Sequence, residues 1–330
     1  MPFARLIEEY RGQTLENIHQ GMICVVDEYK RIVYQRGDVE QPVYYRSALK
    51  PIQALLVFLT DLVHKYGLTD TEVALFMASQ RGEKYHQSAL ESLMKKLKLS
   101  EEQLICPASY PLNETPKKDY IWDHNEPRKL LHNCAGKHLG FLAYAREMGY
   151  DLEGYDDENH PLQCDIRALL ADLCHLDEKQ IGHGIDGCGV PNYSVPLKNM
   201  ALSYLNFSVP EQLNDIKIQE AMRHIDQVMH ACPEIIASHD FICTELLRDS
   251  NIVAKGGAQG VYCLTLKREK LSIALKVLSG SENEWPLLVA EILKKLAYDN
   301  YETIDRLLLL RSHEIVNDGG KVVGKTNVLL

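Results

Sequence analysis

The sequence lacks long hydrophobic runs and an excess of basic residues. Its longest apolar runs, such as ALLVFL at 54–59, are far shorter than the roughly 20 residues that a helix needs to cross a bilayer. The formal net charge is −10, and basic runs such as KKLK at 95–98 are short, which argues against nucleic acid as a partner. The opening MPFARLIEEY has no apolar signal-peptide core. We therefore expect a cytoplasmic protein that contacts neither membrane nor nucleic acid.

The sequence also lacks the cysteine pattern of a disulfide framework. Its nine cysteines are odd in number, scattered, and include no C-x-x-C pair. Without a secretion signal, such cysteines are typically small buried hydrophobic residues. Any cysteine with a chemical role therefore needs unusual neighbours.

No internal repeat, low-complexity tract or clear linker divides the chain, so we predict one domain over 1–330. Strand patterns occur at 21–37 and 251–280, and most of the intervening chain has helical periodicity. A Pro- and Asn-rich stretch at 106–127 reads as a long loop, and 314–330 as a hairpin or an irregular tail. The fold class predicted is α+β, with an antiparallel sheet built from about 20–40 and 250–280 and a large helical portion between them.

The stretch YYRSALKP at 44–51 contains the first candidate for chemistry, the S-x-x-K motif of Ser47 and Lys50. Residues three apart share one face of a helix, and a neutral lysine there can take the proton of a serine hydroxyl. The start of a helix also favours a developing anion. Alternatively, Ser47 is a helix cap and Lys50 a solvated side chain.

Two later elements continue the Ser–Lys pattern. Ser79 lies in ASQRGE, and Lys255 precedes two glycines at the end of a predicted strand. Serine β-lactamases and penicillin-binding proteins combine an early S-x-x-K, a middle serine element and a late K-T-G strand in this order. The alternative for Lys255 is a strand-end lysine before a turn.

A third group contains the thiols Cys134, in LHNCAGKHLG, and Cys188, in GIDGCGVP. Lys137 follows Cys134 by three residues at the start of a predicted helix, and His132 and His138 flank the pair. Two thiolates can bind zinc, but ordinary zinc sites take four nitrogen or sulfur ligands. Spacing alone therefore does not predict a metal.

Taken in order, YYRSALKPIQA, ASQRGEKYH, HNCAGKHLG, DGCGVP and KGGAQGV resemble the motifs of the asparaginase II family, which contains the Rhizobium-type L-asparaginase. The resemblance implies a fold like that of glutaminases and serine β-lactamases. It implies catalytic pairs Ser47–Lys50 and Ser79–Lys255 and a homodimer. It also implies a zinc site; its expected ligands are Cys134, Lys137 and Cys188.

The same resemblance implies that Asp186 is an acid near the substrate. Four further residues lie in the motifs and are expected to bind substrate, namely Arg46, Glu83, His86 and Asn133. The chain departs from the family pattern at Gln80-Arg81, where His-Ser is common, at Ala135, where serine is common, and at 106–111, which lacks a histidine.

We therefore predict an L-asparagine amidohydrolase that releases aspartate and ammonia through a Ser–Lys system. A glutaminase or another amidohydrolase with the same nucleophile is an alternative, because one methylene gives only about 10- to 200-fold discrimination in a tolerant pocket. The changes at Gln80, Arg81 and Ala135 leave a second alternative, a catalytically silent asparagine-binding protein.

Overall fold

The computed structural model describes residues 2–330. Its strands are β1 Ala4–Arg11, β2 Thr14–Asp27, β3 Ile32–Arg36, β4 Pro42–Tyr44, β5 Gly182–Ile185, β6 Pro191–Pro196, β7 Ile252–Gly256, β8 Val261–Leu266, β9 Leu271–Val277, β10 Glu314–Val316 and β11 Val322–Val328. Its helices are α1 Lys50–Phe58, α2 Leu62–Lys65, α3 Asp70–Ala74, α4 Lys84–Leu97, α5 Glu114–Trp122, α6 Ala135–Met148, α7 Pro161–Cys174, α8 Leu197–Leu205, α9 Ile216–Ala231, α10 Pro233–Ile236, α11 Ile242–Leu247, α12 Trp285–Lys295 and α13 Tyr301–Leu310.

The chain forms two compact units. The sheet unit comprises the residues up to Ala48, together with 195–208 and 240–330. The helical unit comprises 49–194 and 209–239. The expectation of one domain over 1–330 stays a prediction.

The sheet unit is built on antiparallel strands from both ends of the chain. The strand order is β10-β11-β1-β2-β9-β8-β7, and β3 pairs with the second half of β2. β2 joins the two ends directly, because Cys24 lies opposite Ala274 of β9. Residues 21–27 of β2 are buried without alternation, which is typical of a strand covered on both faces. The α+β class with a sheet from the N- and C-terminal strands is confirmed.

The helical unit places α1 against α6 and α9. Two glycines of α6 allow this helix to approach the segment after α3. A Cβ on Gly136 would lie 2.2 Å from the Leu75 carbonyl oxygen, and one on Gly140 would lie 2.9 Å from the Phe76 ring. The small strands β5 and β6 pair with each other from Gly182↔Ser194 to Ile185↔Pro191. The loop between them contains Asp186 and Cys188.

Several elements differ from the sequence expectation. β1 and the first half of β2 were not predicted, because 14–18 are exposed and these strands are held by pairing with each other and with β11. Helix α5 lies in the predicted loop at 106–127; Pro116 is its only buried residue, so its sequence carries no apolar stripe. The C-terminal segment does agree with one of the two expected forms, because β10 and β11 make a hairpin.

Two expectations from the sequence concern membrane-spanning helices and disulfide bonds. Among residues 2–330 no helix is both long and apolar enough to cross a bilayer. All nine cysteines lie in this range as free thiols, and seven of them are buried.

Candidate active site and metal centre

Lys50 is the first residue of α1, and its side chain is enclosed by acceptors. Pro51 lies in the first turn, where the missing N–H costs no helical hydrogen bond. The Lys50 side chain is buried, with 1% of the residue exposed. Its Nζ donates to Ala78 O at 2.6 Å, to Ser79 Oγ at 3.2 Å and to Asn133 O at 3.2 Å. The helical unit therefore brings Lys50, Ser79 and Asn133 together.

Burial lowers the pKa of Lys50 below its ordinary value, because a charged amine loses its hydration there. The Cys134 sulfur opposes this shift, and the charge of Lys137 adds to it. A neutral amine has two N–H groups and one lone pair. The two carbonyls can accept both N–H groups, which leaves the lone pair to accept a proton from a serine hydroxyl. This arrangement suits a general base.

Ser79 lies in the segment between α3 and α4, which two further contacts hold in place. Its backbone N–H donates to Ile236 O at 2.8 Å. Beside that carbonyl, His86 is fully buried with Nε2 3.2 Å from Ile235 O. Burial lowers the pKa of His86 to about 4, so His86 is neutral near neutral pH. His86 thus braces the segment behind Ser79, and its role in substrate binding stays a prediction.

Glu83 occupies the position before α4 and is part of a polar network. Asn113 Nδ2 donates to Glu83 Oε1 at 2.6 Å, and Arg81 Nε donates to Asn113 Oδ1 at 2.6 Å. Asn113 therefore ties together both charged residues of the Ser79 segment. Sequence reasoning missed Asn113, because the loop that contains it has no pattern linking it to the motif 30 residues earlier.

The thiol group of the sequence analysis also assembles in the helical unit. One ligand atom each from Cys134, Asp186 and Cys188 lies within 4.8 Å of the other two. Lys137 Nζ donates to Cys188 Sγ at 3.1 Å, and Cys188 Sγ donates to Asp186 Oδ2 at 3.2 Å. Both cysteines and Lys137 are buried, so these donors form a compact cluster shielded from water.

The pKa values of the two thiols in this cluster are shifted in opposite directions. The close contact with Cys188 lowers the pKa of Cys134 well below its ordinary value, and the charges of Lys50 and Lys137 act in the same direction against the cost of burial. The same contact with Cys134 and burial raise the pKa of Cys188. Burial opposes a charge on Lys137, but the sulfurs and the Asp186 carboxylate raise its pKa above the ordinary value. These shifts favour a negative charge on Cys134 over one on Cys188.

This donor set fits zinc. Thiolate sulfur, amine nitrogen and carboxylate oxygen are ligand types that zinc accepts, and Cys134 already favours the deprotonated form that a metal requires. His138 is not part of the cluster. Its Nδ1 lies 2.7 Å from the Tyr155 hydroxyl, and Nε2 is buried with no hydrogen-bond partner among the described residues.

The remaining motif residues, Arg46, Ser47 and Lys255, lie in the sheet unit. Arg46 and Ser47 lie in a 3-10 turn over Arg46–Leu49, and Arg46 has φ +51°, a left-handed conformation uncommon for arginine. Lys255 is buried in β7, and its Nζ donates to Gly256 O at 2.7 Å. A Cβ on Gly257 would lie 2.4 Å from Tyr45 O, so only glycine allows this close approach to the turn that contains Ser47.

The hydrogen bond between Lys50 and Ser79 is a Ser–Lys contact that the motifs do not predict. The motifs imply Ser47–Lys50 and Ser79–Lys255, whereas the structure also joins Lys50 to Ser79. Both predicted pairs stay predictions. The order of the motifs signals that these residues belong together, but the contact across 29 residues has no signal in the sequence.

The comparisons with known proteins give one family and several structural likenesses. A β-lactamase from Mycobacterium bovis has 12% sequence identity and a TM-score of 0.43, over 83% of this chain and 94% of its own. A Bacillus glutaminase has 12% identity and a TM-score of 0.39, over 85% of this chain and 92% of its own. Comparison with curated proteins found no match.

The family comparison is decisive because it covers nearly the whole chain. The family described as L-asparaginase II matches residues 7–328. That range contains both Ser–Lys motifs and the thiol cluster. The chain belongs to the L-asparaginase II family and is a hydrolase that acts on amides.

Proposed function

We propose that this hydrolase converts L-asparagine to L-aspartate and ammonia by Ser–Lys catalysis. The observation that carries the proposal is the buried amine of Lys50, whose pKa is lowered and whose Nζ contacts Ser79 Oγ at 3.2 Å. A buried lysine in contact with a serine hydroxyl is costly as structure alone but useful as a base. Membership of the L-asparaginase II family supports the amide of asparagine as the substrate.

In the first half of the reaction, the Ser47 hydroxyl attacks the side-chain amide carbon, and neutral Lys50 accepts the hydroxyl proton. Backbone N–H groups of the turn that contains Ser47 would stabilise the oxyanion, each by about 3 kcal/mol. Lys50 then gives its proton to the leaving nitrogen, so ammonia departs and an aspartyl ester of Ser47 is left. Water hydrolyses this ester, and Lys50 takes the water proton, which returns to the serine oxygen.

The other site residues have proposed supporting roles. Ser79 relays protons at Lys50, with which it is hydrogen-bonded, and Lys255 relays protons or holds substrate. Asp186 pairs with the α-ammonium group of the substrate. Further substrate contacts are proposed for Arg46, Glu83, His86 and Asn133. Because His86 is fully buried, its contact with substrate would be indirect, through the residues that surround it.

We propose that zinc is held by Cys134, Lys137 and Cys188. When bound, the metal would supply positive charge beside the substrate carboxylate and brace the pocket. Lys137 would have to lose a proton to become a ligand, because its pKa is raised in the metal-free cluster. We further propose that the enzyme is a homodimer, which rests on the resemblance of the motifs alone, and that it is cytoplasmic.

The test is ammonia release from asparagine, glutamine and a β-lactam by the purified protein. We expect asparagine to have the highest kcat/KM, and Ser47→Ala to lose at least about 1,000-fold in kcat. Ser208→Ala is a matched control, because the Ser208 hydroxyl donates to Leu205 O and Ser208 belongs neither to the contacts of Lys50 nor to the thiol cluster.

Three outcomes would change the assignment. A higher kcat/KM for glutamine would make the enzyme a glutaminase. Near-normal turnover in Ser47→Ala would remove Ser47 as nucleophile. Tight asparagine binding without ammonia release would identify a silent binding protein instead of an enzyme.

A further inference from the structure

Gln80 is a buried side chain whose amide joins two segments of the helical unit. It is 1% exposed. Its Nε2 donates to Leu131 O at 2.7 Å and to His132 O at 2.9 Å, and its Oε1 accepts from Gly82 N at 2.6 Å. Both amide hydrogens and the amide oxygen are therefore used. Such a fully satisfied buried group fixes the separation of the segments that it joins.

The two segments joined by Gln80 are the ones that supply the acceptors of Lys50. Ala78 and Ser79 immediately precede Gln80, and Asn133 immediately follows the two carbonyls that Gln80 binds. Residues 79–82 lie between α3 and α4 outside any helix or strand, and Ser79 and Gln80 make different contacts. Gln80 binds the carbonyls of 131–132, while the half-buried Ser79 contacts the amine of Lys50.

We propose that Gln80 is a positioning residue for amide hydrolysis, which sets the distance between the Ser79 segment and the Asn133 carbonyl and so holds Lys50 in its reactive position. This inference rests on the proposed function. A primary amide suits the task because its two N–H groups bind two neighbouring carbonyls while its oxygen binds the turn at Gly82. Gln80 carries no formal charge, so its replacement leaves the net charge around Lys50 unchanged.

The test compares Gln80→Met with Gln163→Met. Methionine keeps the length of glutamine and removes every hydrogen bond. Gln163 is also fully buried in the helical unit, where Nε2 donates to Tyr155 O at 2.7 Å and Oε1 accepts from the Tyr193 hydroxyl at 3.3 Å. Both variants lose buried hydrogen bonds, but only Gln80 joins segments that contact Lys50.

We expect Gln80→Met to lower kcat for asparagine about 10- to 100-fold, with KM changed less than about threefold, because misplacement near 1 Å has effects of this size. Gln163→Met should lose comparable thermal stability and keep kcat within about twofold. If Gln80→Met does not fold, Gln80→Asn replaces it, because asparagine keeps the amide but is too short to reach both carbonyls. This variant should also lower kcat while changing KM little, but by a smaller factor. Equal kcat losses in the two glutamine variants, or unchanged kcat in Gln80→Met, would overturn the inference.

A crystal structure of Gln80→Met separates this inference from the proposed function. The Lys50 Nζ–Asn133 O distance, 3.2 Å in the wild type, should lengthen beyond hydrogen-bonding range. An unchanged distance would overturn the positioning role even if the wild type were active. A wild type that releases no ammonia from any amide would refute the proposed function. The Lys50 Nζ–Asn133 O distance in Gln80→Met would still decide whether Gln80 positions Lys50.

Discussion

Substituting Gly136 with alanine tests whether the approach of α6 to the Ser79 segment sets the active site. Gly136 lies between Cys134 and Lys137, and an alanine Cβ there would be 2.2 Å from Leu75 O. Ordinary contact with such an atom begins at about 3.4 Å, so the backbones must separate by about 1.2 Å. Leu75 cannot avoid this by rotating, because the contact is with its backbone. Ala78 and Ser79, which hold Lys50, lie three and four residues further on.

We expect Gly136→Ala to lower kcat for asparagine by about 100-fold, because misplacement near 1 Å costs about that much. Overpacking should lower the free energy of unfolding by about 1–3 kcal/mol. Gly140→Ala is the matched control one turn along α6. Its Cβ would be 2.9 Å from the Phe76 ring, a side chain that can turn away. It should lose stability and keep most of its activity.

The assay is initial-rate ammonia release at saturating asparagine, with thermal unfolding measured on the same samples. If Gly136→Ala keeps kcat within about threefold of Gly140→Ala, then close packing of α6 does not position Lys50, and the reasoning from the glycine contact is wrong.

The remaining predictions concern charge, metal and stability. Lys50→Met should lower kcat at least about 100-fold, the usual contribution of a general base. Since burial lowers the pKa of Lys50, wild-type kcat should rise with pH as the amine loses its proton, and the pH–rate profile of Lys50→Met should lack this rise. Elemental analysis should find zinc in the wild type and almost none in Cys188→Ser; a metal-free wild type would refute the zinc proposal. Asp249→Ala should lower the free energy of unfolding by about 3 kcal/mol near neutral pH, because Asp249 Oδ2 accepts from Tyr298, Asn300 and Thr303. Burial opposes the shift, but these hydrogen bonds lower the pKa of Asp249, so its stabilisation exists above the ordinary carboxylate pKa and is lost as pH falls through the lowered one. Urea unfolding should therefore show the wild-type advantage shrinking in acid, and a constant difference would contradict the hydrogen-bond assignment.

The fold class was accessible from the sequence because its signals are local. Alternating and continuous apolar runs at 21–37 and 251–280 mark the central strands, and helical periodicity marks most of the chain between them. β1 and the first half of β2 were missed because they depend on strands far along the chain, such as β11, which pairs Ile7 with Val328. Local pattern cannot register such a pairing.

From the sequence, the candidate site could be predicted only as a list of motif residues in chain order, without their contacts. The motifs named Lys50, Ser79, Cys134 and Cys188, and the structure brings these four together in one unit. The sequence could not show that Lys50 contacts Ser79, or that the amide of Gln80 joins the two segments that contact Lys50. In the sequence, Gln80 is only a departure from the family pattern. Its role depends on which carbonyls face it, and that is decided by packing.

The most direct test of the Ser47–Lys50 mechanism is to map the covalent intermediate. The enzyme is mixed with asparagine, quenched in acid within one turnover and analysed by peptide mass spectrometry. The mechanism predicts an aspartyl ester on the peptide that contains Ser47, and its absence in Ser47→Ala. An ester on Ser79, or ammonia release with no ester on either serine, would contradict it.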